Sequence, residues 1–315
     1  MRILVVGGTG FIGRHFIARL SAAGHRLLVP TRCYPRGRDL LVHPTVTLLE
    51  CDVHREDALG PLLRESEAVV NLVGVLHGRR GTPYGPEFRQ AHVELPRRLA
   101  RACREHGVRR MLHVSALGAA PGAPSMYLRS KADGEAALRE VFDAWPEGAL
   151  TVFRPSVVFG PDDRLLNMFA RLARWLPAVP LAGARARLQP VYVLDVARAM
   201  AAALAEPDAA GRSYALAGPR VYTLGELARL AAAWSGHPRR VWALPAPLGR
   251  LQAAVLECLP GPLMSRDNLD TLAVDSVSDE PFAPGLGIVP TPLEAVAPSW
   301  LRRGVSGGSL NAPAP

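Results

Sequence analysis

Tyr127 and Lys131 stand four residues apart in the run Tyr127-Leu128-Arg129-Ser130-Lys131. On a helix that spacing puts a phenol and an ammonium on one face. Ser115 follows the apolar run from Met111 to Val114. That is the position, just past a parallel strand, where open α/β sheets bind ligands. The three side chains make a hydride-transfer set. The phenol can give or take the proton on a carbonyl or alcohol oxygen, and the hydroxyl can hydrogen-bond the same oxygen. The ammonium can lower the phenol's pKa and hold a nicotinamide ribose. A charge about 4 Å away at an effective dielectric of about 20 is worth roughly 4 kcal/mol. That is up to about three pKa units, enough to bring a phenol from about 10 towards neutrality. The spacing alone is common, but composition adds weight. Lys131 is the only lysine among 37 Lys plus Arg. An arginine would not replace it, because its planar charge has a different reach.

A second motif supplies a place for the nucleotide. Gly7-Gly8-Thr9-Gly10-Phe11-Ile12-Gly13 follows the apolar run Ile3 to Val6 and opens an amphipathic stretch. Gly7 is expected to permit a tight turn, Gly10 to let backbone approach a pyrophosphate, and Gly13 to let the helix pack closely on the strand. Thr9, Phe11 and Ile12 then face the anion with the N–H groups of the helix start. Binders of NAD usually carry an acid at the end of the second strand. Here stand Thr31 and Arg32, with no acid before Asp39. Arg14 and Arg32 together suit a 2′-phosphate through forked hydrogen bonds. The expected cofactor is NADP(H) in preference to NAD(H), unless Arg32 is simply one more surface arginine. Asp52, with Val53 beside it, is a candidate adenine contact or a plain turn residue.

The elements that must position these groups alternate. Short apolar runs at Ile3 to Val6, Leu27 to Val29, Val46 to Leu49, Ala68 to Leu72, Met111 to Val114 and Leu150 to Phe153 read as strands. Helical patterns lie between them at about 11–23, 86–105 and 125–141. This alternation predicts an α/β doubly wound parallel sheet. Residues 1–158 with about 189–214 are expected to form the nucleotide-binding domain. Segments of about 159–188 and 215–303 form a smaller, discontinuous domain, and the Gly/Ser/Pro-rich stretch 304–315 a disordered tail. Asp195 is expected to cap a helix over 196–204. Leu165 to Leu176, with Arg164, Arg171 and Arg174, reads as a basic amphipathic helix. It could face a membrane or a greasy substrate, or be a core helix with a solvated face.

Bulk properties bound the partners. The chain has 315 residues, 49% of them hydrophobic, and a formal charge of +9. The arginine excess, with abundant Ala, Gly and Pro, points to a GC-rich bacterial coding bias. The charge is spread along the chain, so no nucleic-acid partner is expected. An acidic cofactor, an anionic membrane surface or an acidic subunit fits it equally well. Four cysteines without a CxxC pair and histidines without HxxxH or HExxH spacing predict no disulfide framework and no metal site. No apolar run reaches membrane-span length, and the first strand begins too early to leave room for a leader. The expected location is cytoplasmic, with peripheral attachment to the inner face of a membrane left open.

Taken together, GGTGFIGR, Asn71-Leu72-Val73-Gly74, His113-Val114-Ser115-Ala116, YLRSK, and Arg154-Pro155 through Phe159-Gly160 resemble the extended short-chain dehydrogenase/reductase superfamily. HVSALGA, YLRSKADGE, RPSVVFGPDDRLLNMFA and QPVYVLDVA look like one branch of it. That branch contains the NADPH-binding accessory subunit of respiratory complex I and its bacterial relatives. The resemblance implies a Rossmann core, bound NADP(H) and a small C-terminal domain. It also implies that Leu72, Val73, Gly74 and Pro155 line the nucleotide. It leaves three activities open. One is an oxidoreductase acting on a hydrophobic or quinone-like substrate. Another is a non-catalytic, NADPH-loaded assembly protein of the respiratory complex. The third is a nucleotide-sugar epimerase or dehydratase.

Overall fold

The computed structural model describes residues 1–259 and 263–302. The expected disordered tail lies outside the described residues. In chain order the first half holds β1 (Arg2–Val6), α1 (Phe11–Ala22), β2 (Arg26–Thr31), β3 (Val46–Glu50), α2 (Leu59–Arg64) and β4 (Ala68–Asn71). Then come α3 (Pro86–Phe88), a π-helical stretch (Arg89–Glu94), α4 (Leu95–Glu105), β5 (Arg110–Val114), α5 (Met126–Phe142) and β6 (Ala149–Pro155). The second half holds β7 (Val158–Phe159), α6 (Leu165–Trp175), β8 (Ala178–Leu181), β9 (Arg187–Leu188), β10 (Val191–Tyr192), α7 (Val193–Ala205) and β11 (Ser213–Leu216). It ends with β12 (Tyr222–Thr223), α8 (Leu224–Trp234), β13 (Arg240–Ala243), α9 (Ala246–Glu257), α10 (Arg266–Thr271) and α11 (Leu293–Leu301).

Seven parallel strands form one sheet in the order β11-β6-β5-β4-β1-β2-β3. Strand order reverses between β1 and β4, the place where open α/β sheets bind ligands beyond the strands' C-terminal ends. The unbroken apolar strands follow from burial on both faces. Ile3 and Val5 pack with Phe16, Ile17 and Leu20 on one side. Leu4 and Val6 pack with Leu95, Leu99 and Leu138 on the other. The edge strand β11 was not legible in advance, because Ser213–Leu216 is a short run in a Pro/Gly-rich stretch. A separate apolar cluster gathers Phe159, Leu166, Phe169, Leu188, Leu227 and Leu293.

One expectation changes, and one pair of alternatives is decided. Asp195 does not cap its helix. The strand β10 runs directly into α7, so Tyr192 takes the cap position. Asp195 is buried in the first turn, where its Oδ2 accepts the Thr291 N–H at 2.6 Å. The helix α6 buries Leu166 and Phe169 in the separate cluster, buries Ala173 as well, and leaves Arg164, Arg171 and Arg174 exposed. It is a core helix with a solvated basic face.

The helix over 86–105 carries a π turn with an identifiable cause. Pro96 has no N–H, so it cannot donate to the carbonyl of His92. The backbone of Gly134 in α5 lies against that carbonyl: a Cβ there would sit 1.9 Å from the His92 oxygen. The close crossing sets how deep α5 lies against the sheet. Gly134→Ala must push backbone from backbone, and it should lower the unfolding free energy by about 2–4 kcal/mol. Gly122→Ala, at an exposed site where a Cβ meets nothing within 4 Å, should be nearly neutral. Urea denaturation of both variants checks this.

Candidate active site

The glycine loop and the loop after β4 meet at the switch point. Gly7 has φ +82°, and a Cβ on it would lie 2.9 Å from both Leu72 C and Val73 N. Its carbonyl accepts the Gly10 N–H at 3.0 Å and closes the turn. Gly10 precedes α1 without side-chain capping, and the first turn holds no acid. The Phe11 and Ile12 N–H groups therefore meet no competing carboxylate, as an anion site requires. Gly13 serves a slightly different purpose from the expected one. A Cβ there would lie 2.4 Å from the Gly8 oxygen, so the helix packs on its own loop.

At the end of β2 the two predicted arginines part. Arg14 Nε donates to the Thr9 carbonyl at 3.0 Å and a second guanidinium nitrogen to the Arg36 carbonyl at 2.8 Å. The same group pairs with Asp39. Arg14 thus fastens the glycine loop to the turn over 34–42. Arg32 is exposed and has no ion pair among the described residues. Asp52 accepts the His54 N–H at 3.1 Å within its own turn, and Val53 is buried in the core. Pro155 is buried at the end of β6, where its carbonyl accepts the Leu117 N–H at 2.9 Å.

The helix α5 carries the predicted phenol and ammonium. Ser125 caps it by accepting the Leu128 N–H at 3.2 Å. Asp267, from the far end of the chain, accepts the N–H groups of Met126 at 2.6 Å and Tyr127 at 3.1 Å. The Tyr127 ring meets His92 and Phe88 edge-on, with centroids 5.6 and 6.5 Å away. Lys131 is buried, and its Nζ donates to the carbonyls of Val114 at 3.1 Å and Val73 at 3.4 Å. A Cβ on Gly74 would lie 3.3 Å from that Nζ. Ser115 is the next residue after Val114. Its buried Oγ has no hydrogen-bond partner among the described residues. Leu72–Gly74, Ser115 and Lys131 therefore gather at one end of the sheet, beside the helix face that carries Tyr127.

The electrostatics differ from the expected pattern. Burial pushes the Tyr127 phenol up to about 12 instead of towards neutrality. Burial also lowers Lys131 to about 8, against the opposing charge of Glu135. The ammonium is held by two backbone carbonyls, and desolvation outweighs the help it could lend the phenol.

Sequence reading missed the groups that hold the walls. His92 Nε2 accepts the Val75 N–H at 3.0 Å. Its Nδ1 must then carry the proton, and it meets Ser130 Oγ at 2.8 Å. Ser130 in turn donates to the Tyr127 carbonyl at 2.8 Å. Burial, then the charge of Lys131, holds His92 well below the ordinary histidine range, so the ring is neutral. Asn71 accepts the Val73 N–H at 3.1 Å and donates to His113 Nδ1 at 3.1 Å. A polar residue closing an apolar strand was a usable signal for Asn71. Nothing in the sequence marked His92 or Asp267. Among the described residues no cluster of three His, Cys, Asp or Glu could hold a metal ion.

A family model described as NAD dependent epimerase/dehydratase matches residues 3–224. The chain belongs to that family. Within it, the chain is 36% identical to NADH dehydrogenase (ubiquinone) 1 alpha subcomplex subunit 9, mitochondrial, of Mus musculus, over 95% of this chain and 79% of that protein. It is 31% identical to the ceramide reductase of Caulobacter vibrioides, over 81% of this chain and 76% of that protein. Among solved structures, the dTDP-glucose 4,6-dehydratase DesIV of Streptomyces venezuelae shares the fold. Its TM-score is 0.73 at 22% identity, covering 97% of this chain and 96% of the other. The Rossmann architecture expected from strand–helix alternation is thus that of the epimerase/dehydratase family.

Two measurements probe the site itself. Asp267→Ala strands two N–H groups at the start of α5 and should cost about 1–2 kcal/mol of stability. Asp267→Asn, which keeps an acceptor, should recover part of it. Lys131 gives a pH signature. Its folded pKa lies below the unfolded one, so the unfolded chain binds more protons between the two values, and stability rises with pH from about 8 to about 10. Above that, tyrosines held near 12 work in the opposite direction. Relative to Lys131→Met, the wild type should gain about 1–2 kcal/mol between about pH 7.5 and about pH 9.5. The chain has a single lysine, so parallel denaturation curves of the two proteins isolate this effect.

Proposed function

We propose that the chain is an NADP(H)-dependent oxidoreductase acting on a hydrophobic carbonyl or alcohol of quinone-like or lipid-like character. The observation that carries this reading is the buried, unpartnered Ser115 Oγ beside the Lys131 ammonium at the ligand end of the sheet. A buried hydroxyl left without a partner costs about 1–3 kcal/mol, which function can justify where packing does not. The residues fit the nucleotide: an uncapped helix start free of acids, Gly7 pressed on the β4 loop, and Gly74 leaving room at Lys131 Nζ. When bound, a nicotinamide supplies or accepts the hydride. Phe11, Ile12 and their loop would hold the pyrophosphate, with Thr9, Leu72, Val73 and Pro155 around the nucleotide.

The chain's own groups manage the proton. Ser115 donates a hydrogen bond to the substrate oxygen, and Tyr127 gives or takes the proton there. Lys131 keeps positive charge at that end of the site. Arg32, exposed and without an ion-pair partner among the described residues, suits the 2′-phosphate. Arg14 acts more as the loop's fastener, because Asp39 shares its charge. Asp52 stands as the adenine-side candidate. The 31% identical ceramide reductase supports a reductase with a lipidic substrate.

A second reading has its own support. The 36% identical mitochondrial NADH dehydrogenase subunit favours a nucleotide-loaded partner of a respiratory complex that turns nothing over. The two are separable. Under the first, NADPH in the purified protein is oxidised by added quinone or long-chain ketone, and Tyr127→Phe slows this by a factor of about 100 or more. Under the second, the nucleotide resists dialysis and its redox state does not respond. For cofactor choice, titration calorimetry should show NADP+ binding more tightly than NAD+, with Arg32→Ala removing the difference. Tighter binding of NAD+ would sink the NADP(H) assignment.

A further inference from the structure

The helix α9 is turned inside out. It buries Gly249 and Ala253 and leaves Leu248, Leu251 and Val255 exposed at 52%, 62% and 59%. This orientation is held in place. A Cβ on Gly249 would lie 2.9 Å from the Ala182 Cβ, so only a glycine lets the helix approach that closely. Gln252 accepts the Ala182 N–H at 3.3 Å and donates to the Pro180 carbonyl at 2.9 Å. The three large side chains follow helical spacing and form one outward stripe. Arg250 is the one charged residue among the exposed positions of this helix.

The strand next to it continues the pattern. Trp242 in β13 is 62% exposed. Arg239 Nε donates to the Ala173 carbonyl at 3.0 Å and so joins the start of β13 to the end of α6. There Trp175 is 80% exposed, with Arg174 over its ring at 5.8 Å. The two segments that build this side, 164–187 and 236–257, contain eight arginines and a single acid, Glu257, whose charge is taken up by Arg266. A solvated face would mix both charge signs and polar groups. Indole and aliphatic side chains set among an excess of arginines complement a surface that is greasy inside and anionic outside.

We infer that the face formed by α9 and β13 docks on an anionic lipid bilayer. Leu248, Leu251, Val255 and Trp242 enter the headgroup boundary, and the surrounding arginines meet lipid phosphates. The inference goes beyond the redox reading, since it holds whether or not the chain turns over a substrate. It also places the bilayer near the candidate site. Arg266 of α10 pairs with Glu257 of α9 at 2.8 Å, and the next residue, Asp267, caps the helix that carries Tyr127.

The test uses the full chain with vesicles of phosphatidylcholine alone or with about 30% phosphatidylglycerol, and reads co-sedimentation and tryptophan emission. Binding should require the anionic lipid and weaken as salt rises, because each arginine near such a surface contributes about fivefold. Trp242 emission should shift to the blue and the shift be lost in Trp242→Phe. The double variant Leu251→Glu with Val255→Glu should bind about tenfold more weakly or worse. Its melting temperature and nucleotide affinity should match the wild type, which excludes misfolding. Three results overturn the inference: no preference for anionic vesicles, undiminished binding by the double variant, or a wild-type dimer that the double variant dissociates. The last would assign the face to a second copy of the chain.

Discussion

One buried ammonium organises the end of the sheet where the glycine loop, Ser115 and α5 meet. Lys131 sends its charge to the carbonyls of Val114 and Val73, at the ends of neighbouring strands β5 and β4. An ammonium so far from water must be held by acceptors, or it loses its proton. Its reach and the close crossing at Gly134 together set how close α5 lies to the sheet. The rest of the helix is arranged for that depth. Gly134 removes the side chain that would hold α5 away from His92, and the π turn caused by Pro96 frees the carbonyl on which Gly134 rests. Glu135, one turn on, is buried and bound to Arg154 of β6, which anchors the same helix laterally.

The second half of the chain works less as a separate body than as a set of clasps on the first. Asp267 closes the N-terminus of α5, and Asn268 donates to the Leu76 carbonyl at 3.1 Å in the loop after β4. Ser156, just after β6, donates to the Ser276 carbonyl at 2.8 Å, while Asp195 holds the Thr291 backbone within the second half itself. The bonds to Met126, Ser276 and Thr291 satisfy backbone groups at buried or part-buried sites. Two walls of the site, the start of α5 and the loop after β4, thus depend on residues that lie 141 and 192 positions away in sequence.

Local signals were enough for most of the framework. Apolar runs, the glycine loop and the single lysine are properties of neighbouring residues, and short-range sterics and burial act on them in the same way wherever the chain goes. Asp195 shows where local reading fails. Its type and position suit a cap, but the strand before it leads straight into the helix and moves the cap to Tyr192. Arg14 shows the same limit. It reaches the turn over 34–42 that follows β2, where Asp39 beside it changes what its charge is free to do.

Residues close together in the chain were enough to mark the strand and helix segments of the α/β framework, the glycine loop and the Tyr127–Lys131 spacing on one helix, because each follows from the types and spacing of near neighbours. The tertiary structure alone decided the proton affinities of Tyr127 and Lys131, since desolvation is a property of everything packed around a group. It alone decided that Asp267 closes the helix carrying the phenol. It also turned the large apolar side chains of α9 outward, because a glycine and an alanine had already claimed the inward face.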